Sequence, residues 1–255
     1  MTDHTIYHEE IAAFQQEKDT QLRAEDGWLT LAGLHWLREG INLIGGGENN
    51  HIPLPAEVSP PYLGSLEFTP LGVLLHLNKG VSVEINGEKR SGSIALESDI
   101  NRQPTVVNLD QISFYIIQRG DRTGVRVKYT QHPNRVNFTG REWWPIDENF
   151  RLEANIIPYS LPKMITIPDI LGDLHETEIL AALQFEYQGE QFSLDAQTLP
   201  SGQYYLIFHD LSCGKGSYPP GRFLVSEMPE GSQVIVDFNK AYNPPCAFTP
   251  FATCP

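Results

Sequence analysis

Between Gly64 and Thr130 apolar residues recur at every second position. Val73, Leu75 and Leu77 alternate with Leu74, His76 and Asn78, and Val81, Val83 and Ile85 alternate with other neighbours before running into Asn86-Gly87. A period of two sends successive side chains to opposite faces of a strand. Asn-Gly at the end of such a run signals a hairpin, because both central residues of a type I′ turn need positive φ. Further strands are expected over residues 93–97, 105–109, 112–118 and 124–130, with turn residues between them and no helical pattern. Strands at this spacing specify an antiparallel sandwich or barrel.

A second strand-rich region follows, with strands expected over 150–157, 163–167, 179–187, 191–196, 203–209, 222–226 and 233–238. Gln188-Gly189 reads as another hairpin tip, and residues 132–146 as an irregular link. Ahead of both regions, residues 6–23 carry the one helical pattern. Tyr7, Ile11, Phe14, Lys18 and Leu22 fall at steps of three or four, with Glu and Gln filling the other faces. Thr5 is the expected N-cap and Gly27 the end of the segment; the helix should cover β-structure as a lid or clasp. Residues 28–40 are too glycine-rich for one helix and are expected as a strand ending in a helical turn. A strand at 41–44 and a short extended piece at 49–54 follow. The expectation is a mainly β protein, an antiparallel sandwich or barrel with an N-terminal helix, divided as 1–27, 28–131 and 132–255. A single sheet continuous across the two β regions is open at this point.

Charge narrows the partners. Lys and Arg number 18 against 32 Asp and Glu, a net charge of -14. With no basic run to offset it, such a surface repels phosphate backbones and anionic membranes, so neither nucleic acid nor membrane is an expected partner. No apolar run approaches the ~18–20 residues of a bilayer span. The start, MTDHTIYHEEIAAF, is polar and acidic where a signal peptide is basic and then apolar. A cytoplasmic location with reduced thiols is expected, since three cysteines cannot all pair.

Residues 208–255 concentrate the chemistry: all three cysteines, Pro219-Pro220, Pro244-Pro245 and a glycine-rich turn. Tyr218 and Arg222 flank Pro-Pro-Gly, a stiff reversal that holds both side chains in place. Arg222 is a fork for a carboxylate. It either pairs internally with Asp210 or Asp237, locking the loop, or joins Tyr218 in binding a small anion that Asp210 or Asp237 helps to orient. Asp237 and Asn239 end an alternating strand, and Asn243-Pro244 starts a turn. The candidate ligand set is Asp210, Tyr218, Arg222, Asp237, Asn239, Tyr242 and Cys246. His209, Asp210, Cys213, Cys246 and Cys254 are competent metal ligands, but no pair has chelate spacing, so no metal is assigned. Cys246, His209 and Asp237 are the types a thiol hydrolase uses, yet nothing in the spacing joins them. Gly45–Gly47 lacks the Lys-Ser/Thr of a phosphate loop, and no G-x-S-x-G elbow occurs. Trp143-Trp144 is expected in packing. Neither a catalytic residue nor a cofactor is assigned.

The segments YYLIFHDLSCGKGSYPPGRFL and VIVDFNKAYNPPCAFTPFATCP resemble the domain-of-unknown-function 1684 family. Asp210, Tyr218, Gly221, Arg222, Phe223 and Leu224 match its pattern, as do Asp237, Phe238, Asn239 and Ala241 to Ala247. GWLTLAGLHWL, FYIIQRGDRTGVRVK and GREWWPIDENFRLEA are also similar to it. Ser212-Cys213 stands where that family more often has Thr-Ser. Its chains usually run on past Cys-Pro, so either a tail is lost here or the chain is incomplete. The resemblance implies no established activity. INLIGGGENNHIPLP followed by VSVEING is similar in layout to forkhead-associated domains, which bind phosphothreonine through an Arg and a Ser. Gly45–Gly47 and Pro60-Pro61 stand where those two residues would be, so that resemblance implies a scaffold without the phosphopeptide chemistry. Two function readings follow. One is a small-molecule site, binding or catalytic, in the C-terminal motif; the other is a protein-binding module with the motif as a clasp.

Overall fold

The computed structural model describes residues 3–169 and 171–253. The chain divides into two compact units, Leu22–Thr139 and the paired segments Met1–Gln21 with Gly140–Pro255. The fold is mainly β and antiparallel, with one N-terminal helix. Among the described residues no helix is long and apolar enough to cross a membrane.

Leu22–Thr139 is a β-sandwich. Its strands are β1 (Leu31–Trp36), β2 (Gly40–Gly45), β3 (Ile52–Pro53), β4 (Gly64–Thr69), β5 (Gly72–Leu77), β6 (Val83–Ile85), β7 (Glu88–Arg90), β8 (Ser93–Leu96), β9 (Val107–Leu109), β10 (Ile112–Arg119) and β11 (Arg122–Tyr129). One sheet runs β1-β11-β10-β9-β6-β7 and the other β3-β2-β4-β5-β8. The β2–β3 pair is parallel and the rest are antiparallel. Alternation does the sorting: Ile112, Phe114 and Ile116 of β10 face inward while Ser113 and Tyr115 face out. Ile44, Leu66 and Leu75 from one sheet meet Phe114, Ile116, Val125 and Val127 from the other, each at most 1% exposed. Burying a side chain of this kind contributes ~1.5–3 kcal/mol.

The second unit is a half-barrel with the helix α1 (Asp3–Arg23) as part of it. Its strands are β12 (Arg151–Pro168), β13 (Leu174–Tyr187), β14 (Glu190–Thr198), β15 (Tyr204–Phe208), β16 (Arg222–Val225) and β17 (Gln233–Asp237). They lie in the order β16-β15-β14-β13-β12-β17. Ala154, Leu183, Leu206, Leu224 and Val236, all 0% exposed, form its core. None of the three sheets draws strands from both units, so the continuous sheet left open by the sequence does not form among the described residues.

Both expected hairpin tips take left-handed backbone. Asn86 and Gly87 have φ of 55° and 78° between the paired Ile85 and Glu88, and Gln188 and Gly189 have 52° and 82° between Tyr187 and Glu190. Four expectations need correction. The two strands expected over 150–157 and 163–167 are one, β12. Pro158 and Pro162 lack a backbone N–H, and the pairing answers with a register shift between Pro158 and Lys163 rather than a break. At residues 28–36 the helical turn precedes the strand: Thr30 donates its hydroxyl to the Gly27 carbonyl at 2.7 Å within a 3₁₀ turn, and β1 follows. Thr5 lies inside α1, and Pro133–Val136 forms one helical turn, α2, within the supposed irregular link.

Gly64 shows how tightly β4 and β5 are matched. A Cβ there would stand 2.1 Å from the His76 carbonyl oxygen of the paired strand. Backbone cannot step aside as a side-chain tip can, so Gly64→Ala should cost at least the ~1–3 kcal/mol typical of overpacking. Thermal denaturation of the full chain checks this, and a midpoint unchanged from wild type would contradict it.

Candidate functional site

The half-barrel gathers the residues of the C-terminal motif into three groups. The first is the turn between β15 and β16. Gly221 holds φ at +126° where a Cβ would press to 2.7 Å from the Phe208 carbonyl oxygen. That geometry is open to glycine, and it returns Arg222 beside Asp210. Arg222 Nη2 donates to Asp210 Oδ2 at 2.5 Å, and its guanidinium lies 5.2 Å from the Phe208 ring centre. Asp210 also accepts from the Ser212 amide at 2.8 Å and from its hydroxyl at 2.5 Å. Burial pushes the Asp210 carboxyl up, but the Ser212 and Arg222 hydrogen bonds outweigh it and hold the group below the usual range. With its proton given to Asp210, the Ser212 hydroxyl accepts from Ser217 at 2.8 Å, and Ser217 accepts from Trp144 Nε1 at 3.1 Å. Trp144 itself is 55% exposed, against the expectation that both tryptophans pack inside.

Asp237 anchors the second group. It is 1% exposed, and it accepts from the Tyr7 hydroxyl at 3.0 and 2.9 Å and from the Asn239 amide at 3.1 Å. Asn239 uses every part of its side-chain amide. Its Nδ2 donates to Tyr7 Oη, to the Asp147 carbonyl and to Asp237 Oδ1, and its Oδ1 accepts from the Asp147 amide at 3.0 Å. Burial, reinforced by the hydrogen bond to Asp237, pushes the Tyr7 hydroxyl well above its ordinary range. Tyr7 therefore keeps its proton and serves as a permanent donor. Asp237 and Asn239 are thus spent on α1 and the Asp147 turn.

The third group combines Tyr218, Tyr242 and Cys246 with residues that the candidate set omits. Tyr218 Oη donates to the Cys246 carbonyl at 3.4 Å. Lys18, on α1, stands over the Tyr242 ring at 4.3 Å and near the Phe14 ring at 5.4 Å. Phe14 meets Trp143 edge-on at 6.4 Å, and the Arg141 guanidinium lies 5.5 Å from Trp143 and 5.1 Å from Phe248. Gly140, at φ +119°, turns the chain so that Arg141 donates through Nη1 to Asp19 Oδ1 at 2.5 Å and through its amide to Oδ2 at 3.1 Å. The Arg141 side chain is 9% exposed, and its Nε and the Trp143 Nε1 are buried with no hydrogen-bond partner. Burial lowers the Lys18 ammonium and the Arg141 charge lowers it further. Among the described residues that ammonium makes the two ring contacts and neither a hydrogen bond nor an ion pair. The Tyr242 hydroxyl, raised by burial, likewise makes no hydrogen bond among the described residues.

Sequence reasoning missed Tyr7, Lys18, Arg141 and Trp143. A lysine on the apolar stripe of α1 was the available signal. The thiol grouping is not assembled: Asp237 bonds to Tyr7 and Asn239, and His209 is exposed. Among the described residues no three His, Cys, Asp or Glu stand together as a metal site; Cys254 lies outside them. In the sandwich, the Gly46 and Gly47 amides donate to the Pro60 and Pro61 carbonyls at 2.9 Å each, so the glycine loop is closed on its own neighbours.

Tyr7→Phe removes a donor from a buried carboxylate and an acceptor from Asn239. We expect a loss of about 1–3 kcal/mol, read as a lower denaturant midpoint with the transition slope unchanged. A midpoint equal to wild type would show that α1 is not held through Asp237.

No curated protein matches the chain. Among solved structures, similarity extends to the solution NMR structure of the uncharacterized protein from gene locus rrnAC0354 of Haloarcula marismortui. Identity there is 28%, with 48% of this chain and 69% of that one covered, at a TM-score of 0.39. Residues 136–255, which carry Arg141, Trp143 and the whole C-terminal motif, match the family described as a protein of unknown function, DUF1684.

Proposed function

We propose that the half-barrel unit binds a small anionic molecule between Lys18, Arg141, Trp143 and Tyr242. One observation carries the reading. Two cations and two buried, unpartnered N–H groups converge among aromatic rings; among the described residues Asp19 is the one carboxylate in a hydrogen bond or ion pair with either cation, and Glu17 acts on Lys18 only as a nearby charge. Burying a donor without an acceptor costs about 1–3 kcal/mol, and a half-buried cation adds its own desolvation. An arrangement retained at that cost suits a ligand that supplies the missing acceptors. A carboxylate or phosphate does so: Lys18 supplies charge, Arg141 Nε and Trp143 Nε1 supply direction, and the Tyr242 hydroxyl offers a further donor.

This refines the anion site expected from the sequence. Arg222 is its neighbour in the motif rather than its centre: it too is paired with a carboxylate, Asp210, and keeps a buried, unpartnered Nε, but its guanidinium stands over Phe208 whereas that of Arg141 stands beside Trp143. Asp210, Asp237 and Asn239 act in this reading as the clasp that holds the site's elements together, and Tyr218 ties the turn to the Cys246 carbonyl. The protein-binding alternative rests on the sandwich and has no comparable set of unmet donors in its glycine loop. A cytoplasmic location agrees with a small-molecule ligand.

Lys18→Met tests the proposal with two opposite signs. Without ligand the variant should be at least as stable as wild type near neutral pH, since it removes a desolvated cation. With inorganic phosphate, citrate or succinate added, wild type should gain in melting temperature and the variant should not. The lowered Lys18 pKa adds a linkage test. The unfolded chain binds more protons at this residue, so the wild-type deficit against Lys18→Met should shrink as pH rises from the folded pKa toward the ordinary lysine value. Equal ligand shifts in both proteins, or a deficit that does not vary with pH, would remove Lys18 from an anion site.

A further inference from the structure

The outer face of the six-stranded sheet in the sandwich unit carries a cleft of about 700 Å³, within the range of small-molecule sites. Its floor is set by strand register. Asn108 of β9, Ser113 of β10 and Lys128 of β11 are directly paired partners, so their side chains stand in one row across three strands. Tyr115, two residues along β10, lies on the same face, with Lys128 Nζ 5.9 Å from its ring centre. All four are half-buried. Lys128 donates to the Asp26 carbonyl at 2.6 Å, which leaves further N–H groups on the same ammonium. The side chains of Asn108, Ser113 and Tyr115 make no hydrogen bond among the described residues.

The rim adds two observations of a different kind. Arg102 and Asp110 both line the cleft, and both hold left-handed backbone, at φ 60° and 49°, which non-glycine residues seldom adopt. Arg102 has no side-chain partner among the described residues, whereas Asp99 is engaged by Arg119 at 2.8 Å and by the Gln118 amide. The lining carries Glu25, Asp26, Asp99 and Asp110 against Arg102 and Lys128. That balance opposes an anion, and among the described residues no three of the carboxylates gather as a metal site. What the cleft offers is two amides, three hydroxyls, an ammonium, a guanidinium and carboxylates beside one aromatic ring, a set that both donates and accepts at close spacing. Hydroxyl groups are the ligand chemistry that answers both roles at once.

We propose that this cleft is a saccharide-binding site. A sugar ring of one or two residues lies along the Asn108–Ser113–Lys128 row, with its apolar C–H face toward Tyr115 and its outer hydroxyls toward Arg102 and the rim carboxylates. The site is separate from the anion site of the half-barrel, and each stands or falls alone.

Saturation-transfer NMR on the full chain tests it, with maltose, cellobiose, lactose and N,N′-diacetylchitobiose as probes. At least one should receive saturation and titrate with a Kd below ~10 mM. Tyr115→Ala and Asn108→Ala should each weaken that sugar at least ~10-fold, and Arg90→Ala, on the far edge of the same sheet, should not. Far-UV circular dichroism identifies a variant that fails to fold, and the other variant then decides. The proposal is overturned if none of the probes binds in that range, if binding survives both variants unchanged, or if inorganic phosphate displaces the sugar in competition.

Discussion

A carboxylate that is almost wholly removed from water needs partners, and at Asp237 those partners among the described residues are hydrogen-bond donors rather than a cation. The Tyr7 hydroxyl reaches both of its oxygens, and Asn239 contributes its backbone and side-chain amides. Because the donors come from α1 and from the turn that follows β17, satisfying one charge ties the first helix to the end of the motif. The Asp147 turn is caught in the same net through Asn239. If any member is lost, the penalty is that of an exposed polar debt inside the protein, larger than the net value of the bond itself. The placement of Lys18 on α1 against Tyr242 depends on this clasp.

Arg222 and Asp210 make a second, local closure of a different character. Their partnership spans a short loop, Asp210 is about one-third exposed, and the pair stiffens a turn already shaped by Pro219, Pro220 and Gly221. A partly solvated ion pair contributes modestly to stability. Its consequence is geometric: it fixes Arg222 against Asp210 and the Phe208 ring, while Arg141 and Lys18 stand together among Trp143, Phe14 and Tyr242. In a chain of net charge -14, two half-buried or buried cations beside unpartnered N–H groups stand out as a local reversal of sign.

What was legible in the sequence was whatever depends on neighbours along the chain. Alternation placed the strands of the sandwich, and Asn86-Gly87 there and Gln188-Gly189 in the half-barrel marked hairpins because turn φ depends on the residues of the turn itself. The Arg222–Asp210 pair was among the alternatives for the same reason, lying twelve residues apart. Residues 158–163 misled because proline ordinarily ends a strand, whereas here the register slips and pairing resumes on the other side. The partners of Asp237, Asn239 and Tyr242 were not legible, since Tyr7 and Lys18 lie more than two hundred positions away and no local pattern links them. The one trace was Lys18 itself, a charge set in the apolar stripe of a helix and read there as part of the stripe.

The clasp also has a meaning in time. Tyr7 and Asp237 are separated by 230 positions, and the whole of Leu22–Thr139 is made between the helix and its partners. At roughly 5–20 residues per second, synthesis leaves the helix without its carboxylate for on the order of 10–50 s. Folding of the sandwich takes far less, milliseconds to seconds for β topologies of this size. The helix emerges well ahead of its partners and is therefore among the last segments to reach its native place.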